Sequence, residues 1–207
     1  MAVTGIILVG YIVVHMVGNL LVFRGQQAMN DYAHMLQSNL PLVWTVRVIL
    51  LVAAIFHIHA AYTLSRLARA ARPERYAGLK AQASTWSARG MRIGGVLLVV
   101  FIVFHILHLT TGDVLAAQFV RGDVYQNVVR SFSIVWVAVF YVVAMLALAF
   151  HLHHGIWSLF QTVGANHPNL NPTRRKLAWL LSVVVPVGFA AGPPAGVLGG
   201  GLELAWE

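Results

Sequence analysis

The chain has 207 residues, 59% of them hydrophobic and only 10% charged, against roughly 25% charged in a soluble domain. With a mean hydropathy of +0.76, this excludes an ordinary soluble globule and indicates a polytopic membrane protein of one compact bundle. The absence of cysteine excludes a disulfide framework, a thiolate metal site and covalent haem attachment. The net charge of +8 does not read as nucleic-acid binding, because the basic residues sit in loops between apolar runs, where membrane topology is encoded.

Five apolar segments are long enough to cross about 30 Å of hydrocarbon at 1.5 Å per residue. The first, about 2–23, ends before Arg24 and lacks the charged start and cleavage site of a signal peptide. The second, about 42–66, opens at Pro41. The third, about 91–111, ends at "TTGD". The fourth is about 130–160. The fifth, about 177–198, carries Pro186, and Pro193 and Pro194 are expected to end it. The expectation is an all-α membrane protein, a single domain over 1–207, built as a five-transmembrane-helix bundle.

Charge orients this bundle. Arg66, Arg69, Arg72, Arg75, Lys80, Arg89 and Arg92 fall around the loop between the second and third segments, and Arg174, Arg175 and Lys176 between the fourth and fifth. Ten of the fourteen basic residues thus lie on one side. The positive-inside rule makes that side cytoplasmic, with the N-terminus inside and the C-terminus outside.

The histidines carry the chemistry. Four of the five segments hold at least one: His15; His57 and His59; His105 and His108; His151, His153 and His154. A buried imidazole is costly in hydrocarbon unless something bonds it. His15 lies nine residues before Arg24 and His105 eight before Asp113, each roughly 12–14 Å from the outer boundary. His57 lies nine before Arg66 and His151 ten before Gln161, about 14–15 Å from the cytoplasmic boundary. The four fall into an outer level (His15, His105) and an inner level (His57, His151).

Two facing pairs at two depths suit two six-coordinate b haems, whose iron takes axial histidines from opposite sides. Gly18, Gly94, Gly95 and Gly155 would let a macrocycle approach the backbone, although glycine in membrane helices also serves ordinary close packing. Zinc fits less well, because it prefers local clusters with carboxylate or thiolate help. His59 and His153 lie about 200° around their helices from the proposed ligands. His108 and His154 face the same way as His105 and His151, and are open to either role: propionate contact or ligand.

The sequence resembles the diheme cytochrome b membrane anchor of succinate:quinone oxidoreductases, the single-subunit five-helix type. The resemblance rests on "VVHMVGNL", "NDYAHMLQ", "FHIHAAYTLSRLARAARPERY", "WSARGMRIGGVLLVVFIVFHILHLTTG" and "FHLHHGIWSLFQTVGANH". It implies one haem ligand from each of the first four helices, paired one with three and two with four. The spacing from His151 through Gly155 to Trp157 selects His151, and the position before the Ala-Arg-Pro turn selects His57. The implied activity is electron transfer: a separate FAD flavoprotein handles the dicarboxylate, an iron–sulfur subunit delivers electrons, and two haem b groups pass them to a quinone, commonly menaquinone. The implied setting is the bacterial cytoplasmic membrane, and the chain is an enzyme only as a subunit of that complex.

Other residues receive less specific roles. Arg89 and Arg92 suit propionate pairing, with Ser84, Trp86 and Ser87 as neighbours. Asn30, Tyr32 and His34 are candidates for a quinone site, alongside Asn19, Asp31 and Gln37, with a polar capped turn as the equal alternative for "NDYAH". Some members of the family carry a membrane glutamate near the helix-four ligand; here the region reads "MLALAF", so no such carboxylate pathway is expected. Two alternatives remain: the cytochrome b anchor of a hydrogenase or formate dehydrogenase, and a haem-free histidine-lined transporter. A transporter would need a broken polar helix at mid-membrane.

Overall fold

The computed structural model describes residues 1–71, 86–165 and 167–203, with side chains described for all of these except 86–89 and 192–203. Arg72, Glu74, Arg75, Lys80 and Ser84 lie outside the described residues. So do the side chains of Trp86, Ser87 and Arg89.

Seven α-helices follow in order: α1 Ala2–Asn19, α2 Gln26–Ser38, α3 Leu40–Ala70, α4 Trp86–His105, α5 Val124–Phe132, α6 Val135–Thr162 and α7 Asn171–Glu203. Among the described residues, four stretches are long and apolar enough to cross a membrane: Ala2–Arg24, Leu40–Ala70, Gly90–Gln118 and Val135–Thr162. They match the first four expected segments. Their outer faces stay apolar and uncovered, as at Val3, Val14, Ile55, Phe56, Leu146 and Phe150. Lipid is the surroundings that such a surface requires.

Two short helices lie outside these spans. Gly25, at φ +89°, ends the first span and opens α2, a backbone conformation that favours glycine. The "NDYAH" stretch is therefore helical, not a turn. α5 is capped by Asp123, whose carboxylate accepts from Gln126 N at 3.2 Å. The expected fourth segment, drawn from 130, is divided: α5 ends at Phe132, Ile134 is extended, and α6 begins at Val135. Met29 of α2 packs with Val22, Tyr125, Val128 and Val129, so α2 and α5 form an apolar layer across one end of the bundle.

The main core runs along α6. Ala144, Met145, Leu148, Leu152 and Ile156 pack with Met16 of α1 and with Ala178 and Val185 of α7. α3 packs on α1, and α4 packs on α6. α7 runs through Pro186, Pro193 and Pro194 to Glu203, past the expected end of the fifth segment. Proline's fixed φ is itself helical, and neighbouring groups in a membrane helix re-satisfy the freed carbonyls.

Candidate cofactor site

α1 and α3 stand on one side of a large cavity, α4 and α6 on the other. Its volume is about 3330 Å³, and His15, His57, His105 and His151 all line it. Pockets for small molecules run to roughly 300–1,000 Å³, so the space exceeds that of one such ligand. Gly95 and Gly155 also line it, and a Cβ on either would meet nothing within 4 Å. Gly18 lines it too, but a Cβ there would lie 2.9 Å from the Tyr32 ring, so this glycine also lets α2 close on α1.

The four histidines come together in two pairs. The His15 and His105 rings are 5.9 Å apart, centroid to centroid. The His57 and His151 rings are 6.2 Å apart. The levels are well separated along the helices. Thr4 contacts His57, and from Thr4 to His15 is eleven residues, about 16 Å of helix. Tyr141 contacts His105, and from Tyr141 to His151 is ten residues, about 15 Å.

Each ring has its own setting. His57 Nδ1 lies 3.1 Å from the Thr4 hydroxyl. His105 Nδ1 lies 3.3 Å from the Tyr141 hydroxyl. The Asn19 amide is 3.3 Å from His15 Nδ1, while Tyr11 stacks on the His15 ring at 5.4 Å. His151 Nδ1 is buried with no hydrogen-bond partner among the described residues.

The same-face alternatives separate clearly. His108 is only 2% exposed, with Nδ1 3.2 Å from the Tyr141 hydroxyl and Nε2 2.9 Å from the Ser131 hydroxyl. Both ring nitrogens are engaged. His108 sits in a π-helical turn, Ile106–Thr111, whose wider winding turns it away from the cavity and towards α5. His154 is half-buried and is not among the cavity-lining residues. Among the described residues, no three His, Cys, Asp or Glu converge on one point; the arrangement is paired, not clustered.

Arg92 lines the cavity, as do Arg66 and Arg69 at the same inner end. Arg66 and Arg69, which the charge pattern marks only as topology signals, lie nine and twelve residues after His57. Arg47, not among the expected site residues, lines the cavity from within α3. Of the quinone candidates, Tyr32, Gln37 and Asn19 line the cavity. Asn30 does not: its Nδ2 donates to Asp123 Oδ1 at 2.9 Å and its Oδ1 accepts from Tyr125 N at 3.0 Å. It ties α2 to α5. His34 is exposed on α2, outside the cavity.

These residues fit a pair of haems. A histidine nitrogen binds a transition metal at about 2 Å, and the ring centroid lies roughly 1 Å further back, so two imidazoles on opposite sides of one iron have centroids about 6 Å apart. Both observed pairs have that separation, and His151 Nδ1 is buried without a hydrogen-bond partner among the described residues. An apolar cavity with an imidazole pair at each of two depths, between membrane-length helices, is an arrangement in which a multi-pass membrane protein could hold a prosthetic group.

Comparison with known proteins agrees. The family model for the succinate dehydrogenase/fumarate reductase transmembrane subunit matches residues 65–190, well over half of the chain, and the protein belongs to that family. It is 24% identical over 192 residues to the succinate dehydrogenase cytochrome b558 subunit of Bacillus subtilis (strain 168), covering 90% of this chain and 87% of that one. No solved structure gives a significant match. The chain is thus a membrane cytochrome b anchor of the succinate dehydrogenase class, part of an oxidoreductase complex. Membership implies haem b and association with flavoprotein and iron–sulfur subunits. Neither the hydrogenase or formate dehydrogenase anchor nor the transporter is favoured.

Proposed function

We propose that this subunit holds two b haems, one per histidine pair, and conducts electrons across the membrane between an iron–sulfur partner and a quinone. The observation that supports this most strongly is the pairing itself: four helices each bring one histidine into one cavity, at two depths. When bound, the haems supply one-electron redox chemistry.

The chain's own residues bind and tune. His57 and His151 hold the inner group, and His15 and His105 the outer one. Arg66, Arg69 and Arg92 put positive charge at the inner end, where propionates need pairing; His154 adds a further contact there, and Arg47 serves the outer level. His108 stands behind His105 and acts through its hydrogen bonds. Apolar walls exclude water and keep the electron on the bound groups. α7 serves as the fifth membrane span.

The basic loop ends face the cytoplasm, with the N-terminus on that side, in a bacterial inner membrane. Electrons enter at the His57–His151 level and leave at the His15–His105 level. Dicarboxylate chemistry resides on the partner flavoprotein. The quinone, of the menaquinone type, binds near the outer pair, where Tyr32 and Gln37 offer hydrogen bonds; Asn30 supports α2 there, and His34 stands at its exposed edge.

The test is reduction by substrate. Succinate added to the purified complex reduces the b absorbance bands, and an added oxidised menaquinone analogue restores them. Bands that stay oxidised under succinate but respond to dithionite would contradict the pathway.

A further inference from the structure

Two hydrogen-bond chains, one at each level, end on backbone carbonyls, which can only accept; with the last hydroxyl proton on that carbonyl, the direction of every other bond follows. At the inner level the Thr4 hydroxyl donates to Met1 O at 2.9 Å. A hydroxyl has one proton. With that proton on the carbonyl, Thr4 Oγ1 can only accept from His57 Nδ1, 3.1 Å away. His57 is then protonated at Nδ1, and its Nε2 keeps the lone pair.

The outer chain is longer and has the same logic. The Ser131 hydroxyl donates to Asn127 O, so it accepts from His108 Nε2 at 2.9 Å. His108 Nδ1 therefore has no proton, and accepts from the Tyr141 hydroxyl at 3.2 Å. Tyr141 has spent its proton, so its oxygen accepts from His105 Nδ1 at 3.3 Å. His105 too is left with the lone pair on Nε2.

We propose that Thr4 and Tyr141 are positioning residues, each locking one histidine of each pair in the tautomer that coordinates metal through Nε2. The partners lack this device: His151 Nδ1 is bare, and His15 faces an amide. Each pair therefore has one ligand whose ring orientation and basicity the protein sets in advance. This inference rests on the two-haem reading.

An acceptor on Nδ1–H makes the imidazole a stronger donor to iron and favours the oxidised state. Removing it raises the reduction potential of that level alone. The experiment is a redox titration of the whole complex, followed in the visible, with the two components assigned from His57→Ala and His105→Ala. Thr4→Val shifts the inner component positive by on the order of tenfold in the reduction equilibrium, about 59 mV for one electron. Thr4→Ser, which keeps the hydroxyl, restores it. Tyr141→Phe shifts the outer component in the same direction, and Ser131→Ala does so to a smaller extent. Loss of the outer haem alone in Tyr141→Phe also supports the proposal. It is overturned if Thr4→Val and Tyr141→Phe keep two haems at wild-type potentials, if either moves or loses both components together, or if Thr4→Ser fails to restore. A wild-type complex without haem would instead sink the reading beneath it.

Discussion

The imidazoles of His57 and His151 stand 6.2 Å apart, and the Thr4 hydroxyl lies 3.1 Å from His57 Nδ1. The outer pair repeats this at 5.9 Å. If each pair holds one haem, the four histidines are interchangeable in count but not in place. Single His→Ala changes at 57 or 151 should leave one haem per chain, and it should be the outer one. The same changes at 15 or 105 should leave the inner one. Pyridine-haemochrome quantitation with redox titration reads both.

His108 should behave differently. Both of its ring nitrogens are bonded within the protein, so His108→Ala should retain two haems. Its cost is structural: Ser131 and Tyr141 lose their partner in a buried place, worth about 1–3 kcal/mol. Thermal unfolding of the complex, together with haem content, separates the two effects. One haem per chain in this variant, with two retained in Tyr141→Phe, would move the ligand from His105 to His108.

Asn30 offers a second separation of roles. Asn30→Ala removes the bonds to Asp123 and to Tyr125 N, and should lower thermal stability by about 1–3 kcal/mol. The Michaelis constant for quinone should change little. Tyr32→Phe should do the reverse, raising that constant with little loss of stability, because its ring lines the cavity near His15. Steady-state kinetics and melting curves on the two variants decide the matter.

Gly112 tests the outer loop. It holds φ +78°, and a Cβ there would overlap the Phe119 ring. Gly112→Ala combines backbone strain with overlap, each of order 1–3 kcal/mol. The melting temperature should fall and the π-helical turn beside it loosen. The outer haem potential should be disturbed and the inner one left alone.

Four of the five expected membrane spans and the two levels of histidines were legible in the sequence for a simple reason. Hydropathy fixes where a helix crosses, and a constant rise per residue fixes depth. What was not legible depends on neighbours. α2 and α5 are short helices whose apolar faces make sense only against each other, as Met29 against Tyr125 and Val128 shows. The break at Ser133–Ile134 leaves no proline or glycine to announce it. The π-helical turn changes the register of His108 against His105 without any residue that demands it, so a 3.6-residue period put both on one face. Arg47 was hidden by its apolar surroundings, and Thr4 and Tyr141 by distance: they lie 53 and 36 residues from the histidines they touch.

The central claim is that these two pairs hold two haems, and stoichiometry tests it most directly. Reduced-minus-oxidised spectra and pyridine-haemochrome quantitation on the purified complex should give two b haems for each copy of this chain. One haem would mean that one of the two ring pairs is not a coordination site. None would contradict the account.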